Sequence, residues 1–331
     1  MMASVRLFPS AYVLGVTTSR NYFLSARCCN GSLETLEEAP GREQCTICKW
    51  RLHLAYDGTK YAGWQLQQKP ETVQLMLERA LERITKLSRE ELLVIGASRT
   101  DSGVHAWDQV AQFQTPFEVE DLRTFHASIN GILPNDIRVR EIAAVSPEFH
   151  ARYRAKGKIY HYKVYCNPVM DPFQLRYALH VRETLNIYAM KEAAGFLVGE
   201  HDFSAFANAS KQQMKGGFVR KIYRLDITEM GANYLFEIEG NGFLYKQVRN
   251  MVGLILVVGK ELLPPSAVET ILSSRCRKLL AYHAPTAPSH GLHLMHVMYN
   301  EEDLIAPSGA SRYSRGIFQT QSKCKLLLPH I

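Results

Sequence analysis

WRLHLAYDG, residues 50–58, is the stretch that decides the fold of this chain. Large apolar side chains stand at every second position from Trp50 to Tyr56, and Arg51 and His53 alternate with them. A period of two places these sets on opposite faces of a strand. The Asp-Gly pair that follows is typical of a turn. The pattern predicts a half-buried β-strand that rests one face on a core.

The same reading of periodicity along the rest of the chain predicts an α+β fold. Helical spacing of apolar residues covers 71–86, 121–130, 187–198, 243–258 and 266–274. Strand character covers 50–56, 92–97, 110–114, 137–145, 159–166, 219–229, 234–239 and 292–299. Elements mixed on this scale indicate two α/β halves. We expect a leader and linker at 1–48, an N-terminal domain at 49–150, a C-terminal domain at 151–300 and a flexible basic tail at 301–331.

The composition is that of a globular protein with a buried core. Of the 331 residues, 46% are hydrophobic and 21% are charged, which excludes a chain that is disordered throughout. The first 33 residues carry three arginines and no acid, and the last 28 carry four cations and no acid, which together account for the net charge of +7. Net charge is therefore a poor argument for RNA binding. A basic cluster at 138–163 is the local candidate, and a solvated strand and loop is the alternative.

Cysteine spacing and apolar runs restrict the cellular setting. Seven scattered cysteines do not resemble a disulfide framework and favour a reducing compartment. Cys45 and Cys48 form a CxxC without a second pair of ligands, so we expect no metal and no redox site there. No apolar run approaches the roughly twenty residues of a membrane span. The acid-free, Ser/Thr-rich leader is typical of an organelle transit peptide; it does not distinguish plastid from mitochondrion, and we expect the chloroplast.

GASRTDSGVHAWDQ, residues 96–109, presents a carboxylate in a loop of small residues. Asp101 lies between Thr100 and Ser102, and the glycines of the loop allow a sharp turn and the close approach of a bulky substrate. Asp101 could instead cap the turn and pair with Arg99, as loop aspartates commonly do. Taken alone, the motif favours this structural role.

NGFLYKQVRNMVG, residues 241–253, predicts an apolar helix with a cation at its edge. Tyr245 and Arg249 have the spacing of four that places them on one helix face. A guanidinium at the rim of a buried segment requires an anionic partner, because burying it alone is costly. That partner could be a structural carboxylate, a catalytic carboxylate or a substrate phosphate.

KGKIYHYKVY, residues 156–165, predicts a strand with Tyr160 and Tyr162 on one face and His161 and Lys163 on the other. Aromatic rings interleaved with cations can hold an unstacked base. Tyrosines are also common in the cores of sheets. The sequence alone is equally compatible with both roles.

These stretches closely resemble the TruA family of tRNA pseudouridine synthases. The resemblance runs from about residue 51 to 299 and is carried in order by YDGTKYAGWQLQ (56–67), GASRTDSGVHA (96–106), FHARYRAKGKIYHY (149–162), GEHDFSAF (199–206), FLYKQVRNMVG (243–253) and GLHLMHVMY (291–299). It implies a pseudouridine synthase fold, with a catalytic cleft between two RNA-recognition-like α/β domains, in an organelle-targeted enzyme of plant type. It also implies that Asp101 is the catalytic aspartate, that Arg249 is the active-site arginine, that Tyr160 stacks on the substrate base, and that Arg99 contributes to substrate binding.

The resemblance further implies the reaction and the partners. It implies isomerisation of uridine at positions 38, 39 and 40 of the tRNA anticodon stem-loop, by a homodimer, without a metal or other cofactor. Ser98 and Ser102 stand where the family commonly has Gly and Ala, and Asp108 stands where Gly is usual; the charge of Asp108 could tune affinity near the nucleophile or the RNA. The alternative function is a catalytically inactive tRNA-binding protein or chaperone on the same scaffold. The joint presence of Asp101, Tyr160 and Arg249 disfavours that alternative.

Overall fold

One mixed sheet organises the protein. The computed structural model describes residues 47–208 and 217–305 and the backbone of 312–314. In these ranges the strands are β1 Cys48–Tyr56, β2 Ile95–Gly96, β3 His105–Thr115, β4 Ile137–Val145, β5 Gly157–Cys166, β6 Leu179–Val181, β7 Gly199–Asp202, β8 Val219–Met230, β9 Asn233–Gly240, β10 Leu292–Met298 and β11 Arg312–Ser314. Their order is β11-β4-β1-β3-β10-β5-β9-β8-β7, with β2 paired to β3 and β6 to β5.

Helices connect these strands. They are α1 Val73–Thr85, α2 Arg89–Leu92, α3 Leu122–Ile132, α4 Ile187–Gly195, α5 Gln247–Gly259, α6 Ala267–Ser274 and α7 Arg277–His283. Side chains fix several of their starts: the Thr72 hydroxyl accepts from the N–H of Leu75, and the Asp121 carboxylate accepts from two N–H groups of the first turn of α3. Such caps satisfy donors that have no partner within the helix. The predicted α+β class is confirmed.

Strand β1 packs its predicted apolar face into the core. Trp50, Leu52 and Leu54 are at most 2% exposed. The opposite face is covered as well, because Arg51 is buried and its Nη2 lies 2.8 Å from Oε1 of Glu141 on β4. The prediction of a strand is confirmed, whereas the prediction that its second face meets solvent is wrong at Arg51. The Glu141 carboxylate on the neighbouring strand β4 supplies the partner that a buried guanidinium requires.

The two halves of the sheet meet where β10 lies between β3 and β5. Strand β10 pairs in parallel with β3 through only two residue pairs, His293 with His105 and Leu294 with Ala106. It pairs in antiparallel fashion with β5 over its whole length. We call the β3–β10 contact the seam. The sheet is continuous across the seam, and a domain boundary near residue 150 stays a prediction.

Several predicted elements differ from the structure at their ends. The helix predicted at 243–258 begins only at Gln247, because Lys246 takes a left-handed backbone conformation with φ of 61°. Tyr245 therefore precedes the helix and shares no helix face with Arg249. The strand predicted at 92–97 is reduced to β2, because the chain before it turns into α2, which Ser88 caps.

Parts of several predictions lie outside the described residues. These are the transit peptide and Cys45 in 1–46, and most of the tail in 306–331.

Candidate active site

A cavity of about 1120 Å³ opens beside the seam. Most of its lining comes from the loop between β2 and β3, the turn that leads into α5 and the start of β5, and residues of 62–67, Arg152 and Arg220 also border it. Asp101, Arg99, Tyr160 and Arg249 all border this cavity. The structure thus brings together the four residues that the sequence singled out.

The loop that carries Asp101 is held by the segment 61–64. The N–H of Trp64 donates to the carbonyl of Thr100 at 3.1 Å, and the N–H of Gly103 donates to the carbonyl of Tyr61 at 3.3 Å. A Cβ on Gly63 would lie 2.4 Å from the Thr100 carbonyl oxygen, and the φ of Gly63 is +95°. Only glycine allows this approach. The segment 61–64 therefore fixes the shape of the loop.

Asp101 and Arg249 form an ion pair across the cavity. The Nη1 of Arg249 lies 2.9 Å from Oδ2 of Asp101, and its Nε donates to the carbonyl of Ala287 at 2.7 Å. Their side chains are 18% and 13% exposed, respectively. The second carboxylate oxygen, Oδ1, accepts no hydrogen bond from a described residue. The anionic partner that Arg249 requires is thus Asp101, and this carboxylate keeps one oxygen for another interaction.

Tyr160 lies on β5 next to this pair. Its hydroxyl is 3.3 Å from Oγ of Ser98, and its ring meets Phe243 edge to face at a centroid distance of 5.3 Å. Burial, and to a lesser degree the negative charge of Asp101, raises the pKa of Tyr160 to about 12. The phenol is therefore neutral at physiological pH.

The other aromatic residue of this strand has a different environment. Tyr162 is fully buried, and its hydroxyl donates to the carbonyl of Pro288 at 2.8 Å. His161 and Lys163 border a separate cavity of about 520 Å³. Of the two tyrosines, Tyr160 alone borders the cavity that holds Asp101.

Arg99 borders the cavity without contacting Asp101. Its side chain is exposed, and it forms no ion pair with a carboxylate of the described residues. The structural role considered for the motif, an Asp101–Arg99 pair, is therefore not found.

The basic cluster at 138–163 does not form one patch. Arg138 donates to the carbonyls of Pro134 and Ile137, and it borders the separate cavity together with Lys163. Arg152 and Lys158 border the cavity of Asp101. The sequence could have predicted that Lys158 borders this cavity. Residues two apart in a strand share a face, and Lys158 is two residues before Tyr160 on β5.

Asp108 lies away from the cavity. Gln109 bonds both backbone groups of Ser98 in the cavity loop, so its neighbour Asp108 points to the opposite face of β3. There its carboxylate binds Nδ1 of His53 at 2.6 Å and Nδ1 of His296 at 2.8 Å. Burial by itself would raise the pKa of Asp108, but these two histidines hold it well below its usual range. The expectation of a charge beside the nucleophile is wrong, because the side chain is turned inward.

Within the described ranges, no group of three or more His, Cys, Asp and Glu side chains could hold a metal ion. No helix in those ranges is long and apolar enough to cross a membrane.

The arrangement suits chemistry on a nucleotide. A carboxylate with an open oxygen can act as a nucleophile or as a base. The Arg249 guanidinium can stabilise negative charge that develops nearby. A neutral aromatic ring beside them can receive a base on its face.

Comparisons with a family model and with individual proteins point to the same family. A family model described as tRNA pseudouridine synthase matches residues 53–154 and 193–300, which include Asp101 and Arg249. Similar proteins include tRNA pseudouridine synthase A 1 of Protochlamydia amoebophila (strain UWE25), 40% identical over 77% of this chain and 97% of the relative. The tRNA pseudouridine synthase A of Moorella thermoacetica is 40% identical over 75% of this chain and 98% of the relative, and that of Ruminiclostridium cellulolyticum is 41% identical over 76% and 99%.

Among solved structures, an H/ACA RNP bound to a substrate RNA containing 2'-deoxyuridine matches with a TM-score of 0.28 and 12% identity, over 61% of this chain and 45% of that chain, which is too weak to inform the fold. The family model and the curated relatives agree with each other. This chain belongs to the tRNA pseudouridine synthase family, among relatives of the A (TruA) type.

Proposed function

We propose that this protein isomerises uridine to pseudouridine at positions 38, 39 and 40 of the tRNA anticodon stem-loop, with Asp101 as the catalytic carboxylate. Family membership supports the reaction and the tRNA substrate. The observation that carries the role of Asp101 is its ion pair with Arg249, which engages Oδ2 and leaves Oδ1 without a hydrogen bond from a described residue, at a side chain that borders the cavity.

The reaction detaches uracil from C1′ of the ribose and rejoins it through C5. An ionised Asp101 can attack C1′ or C6 as a nucleophile, or take a proton from C2′. Each route places negative charge on the base or the sugar, and Arg249 lies where it can stabilise that charge. Catalysis also requires the target base to leave its stack, which costs a few kcal/mol. Stacking on Tyr160 offsets that cost by about 1–3 kcal/mol.

A direct assay tests this proposal. Purified protein is incubated with tRNA that carries uridines at 38, 39 and 40, and pseudouridine is mapped by chemical labelling and sequencing. We expect product at these positions with the wild type and none with Asp101→Asn, although Asp101→Asn still binds the tRNA. Asp226→Asn, at an exposed aspartate on β8, is the matched control and should be fully active.

Two results would change the assignment. Binding without turnover by the wild type would favour the alternative of an inactive tRNA-binding protein. Product at other tRNA positions would support the assigned reaction and would show that the anticodon stem-loop is not the substrate.

We also propose that the protein acts as a homodimer. Between β5 and β6 the chain presents the large apolar side chains of Val169, Phe173 and Leu175, which are 78%, 80% and 58% exposed. Exposed apolar side chains grouped in this way support a protein contact. Light scattering should give twice the chain mass of 37.6 kDa, and Phe173→Glu should reduce that value toward the monomer. A wild-type monomer at micromolar concentration would refute the dimer.

Residues 1–48 are proposed to direct the protein to the chloroplast. The support is the composition of the first 33 residues, which carry arginines, many Ser and Thr residues and no acid. Residues 1–48 fused to a fluorescent protein should accumulate in plastids of a plant cell. Accumulation in mitochondria would establish the alternative organelle, and a diffuse signal would refute targeting.

A further inference from the structure

The cavity of Asp101 holds an ammonium group that the protein itself does not neutralise. Lys158 lies on β5 two residues before Tyr160, so both side chains leave the same strand face. Its Nζ donates one hydrogen bond, to the carbonyl of Ala97 at 2.9 Å. It forms no ion pair with a carboxylate in 47–208 or 217–305. Because an ammonium has three N–H donors, two are left for another partner.

The surroundings make this charge unfavourable without an anion. Burial, and then the positive charge of Arg152, lower the pKa of Lys158 to about 8. A desolvated cation beside a like charge is destabilised unless an opposite charge arrives. A role limited to holding the Ala97 carbonyl would not need a charge. The surroundings of Lys158 therefore favour the binding of an anion at this position.

Besides Lys158 and the paired Arg249, four cations border the same cavity: Arg99, Arg152, Arg220 and Lys246. Arg152 is exposed and lies over the ring of Tyr153, with its Cζ 6.0 Å from the ring centroid. Arg220 donates to the carbonyls of Gly217 and Val219. Neither forms an ion pair with a carboxylate of the described residues. Asp101, an acid that borders this cavity, is already engaged by Arg249. The cavity therefore holds an excess of positive charge, and within it Lys158 shares a strand face with Tyr160.

We propose that Lys158, supported by Arg152 and Arg220, binds the RNA phosphate next to the target uridine and aligns the Asp101 loop with it. This inference rests on the proposed function. Lys158 and Tyr160 stand about 6.5 Å apart along the strand. A phosphate bound at Lys158 and a base stacked on Tyr160 can therefore belong to adjacent nucleotides of one RNA strand. The bonded Ala97 begins the run that leads to Asp101. A phosphate on Lys158 therefore sets the position of the nucleotide relative to the carboxylate.

The test is a double-mutant cycle between the protein and the RNA. Wild type and Lys158→Gln are each measured with anticodon stem-loop RNAs in which one phosphate beside the target uridine is replaced by a neutral methylphosphonate. At one phosphate, neutralisation should weaken wild-type binding on the order of tenfold and leave Lys158→Gln almost unchanged. Lys156→Gln is the matched control, because Lys156 is an exposed lysine of the same basic cluster, and it should respond like the wild type.

Two further readouts separate phosphate binding from a structural role. Lys158→Gln should reduce the slope of log K against log salt concentration by about 0.7, the value for one phosphate contact to a single strand. Wild-type affinity should fall about fourfold between pH 6.5 and pH 8.5 as Lys158 loses its proton, whereas Lys158→Arg should stay flat over this range.

The outcomes distinguish this inference from the proposed function. If wild type and Lys158→Gln lose the same factor at every phosphate, Lys158 makes no phosphate contact and the inference is wrong, even if the wild type forms pseudouridine. A lower kcat in Lys158→Gln with an unchanged phosphate response would mean that Lys158 only holds the Ala97 carbonyl, which also overturns it. A wild type that forms no pseudouridine but shows the coupling would overturn the proposed function and keep the phosphate site.

Discussion

Asp101 and Asp108 lie close together in the chain, and each carboxylate contacts basic side chains that come from other elements. Asp101 borders the cavity and binds Arg249 of α5. Asp108 is buried and binds His53 of β1 and His296 of β10. Both carboxylates therefore connect the first half of the chain to the second, close to the seam. The ion pair alone does not distinguish a chemical role from a structural one.

The two aspartates differ in whether a carboxylate oxygen is left without a hydrogen-bond partner among the described residues. Both oxygens of Asp108 accept from a histidine, and its side chain is 7% exposed. Asp101 is 18% exposed and keeps Oδ1 without a partner among the described residues. A buried carboxylate with both oxygens engaged serves the packing of strands, whereas one with an open oxygen beside a cavity is available to a substrate.

Substitution of the two aspartates should separate these roles most strongly. Asp101→Asn removes the charge that every proposed route requires, so kcat should fall on the order of 10³-fold or more. Affinity for tRNA should change by less than about threefold, and the free energy of unfolding should fall by on the order of 1–2 kcal/mol, because Arg249 loses its counter-charge and keeps only a neutral acceptor. Pseudouridine formation under single turnover is the measurement. Residual turnover near the wild-type rate would refute the role of Asp101.

Asp108→Asn should have the opposite profile. The substitution replaces a charged acceptor by a neutral amide beside two histidine nitrogens, and hydrogen bonds to charged groups contribute about 1.5–3 kcal/mol each, so we expect a loss of about 3 kcal/mol of unfolding free energy, measured by urea denaturation at pH 7. Turnover of the folded fraction should remain within about tenfold of the wild type. Asp226→Asn, at an exposed ion pair, should cost less than about 0.5 kcal/mol.

The pH dependence of stability gives a second measure of the Asp108 pair. The pKa of Asp108 is lower in the folded state than in the unfolded chain. Its contribution is therefore complete above the unfolded pKa of about 3.9 and is lost as the pH falls through the folded pKa. The stability difference between wild type and Asp108→Asn should have its full size above about pH 5 and shrink below about pH 4. A difference independent of pH would exclude the ionised carboxylate as its source.

Arg249→Lys tests the other half of the Asp101 pair. Arg249 uses Nη1 for Asp101 and Nε for the Ala287 carbonyl, and a single ammonium cannot reproduce this fork. We expect kcat to fall on the order of 10²-fold with an unchanged fold. Arg224→Lys, at an arginine of β8 whose carboxylate partners Asp226 and Glu237 lie outside the cavity lining, is the control and should keep the wild-type kcat. Full activity of Arg249→Lys would mean that charge alone suffices at this position.

Sequence reasoning predicted the local parts of this picture well. The strand at 137–145 matches β4, and the helix at 71–86 contains α1, because alternation and capping are properties of neighbouring residues. The requirement that Arg249 have an anionic partner also followed from its neighbours. The identity of the partner did not follow, since Asp101 is 148 residues away. Only the TruA resemblance linked the two.

The failures share a physical cause, which is tertiary contact. Asp108 reads as a loop acid, but His53 and His296 come from strands distant in sequence. Pairing of β10 beside β3 is likewise set by the whole sheet. The start of α5 depends on the left-handed backbone conformation of Lys246. Helix propensity does not predict this conformation for a lysine. Local pattern therefore predicted the elements, and long-range pairing decided which polar residues were turned inward.

The smallest effect is expected at Tyr160. Tyr160→Phe keeps the ring face and the edge contact with Phe243 and loses only the hydrogen bond to Ser98, so kcat/KM should stay within about threefold of the wild type. Tyr160→Ala removes the face, and kcat/KM should fall about tenfold or more. The pKa of about 12 means that the wild-type phenol carries no charge to lose, so the pH profiles of wild type and Tyr160→Phe should coincide between pH 6 and pH 9. Equal losses in Tyr160→Phe and Tyr160→Ala would show instead that the hydroxyl acts in the reaction. In that case the Tyr160 hydroxyl would be a second reacting group in the cavity. The open oxygen of Asp101 would then not be sufficient to explain the reaction.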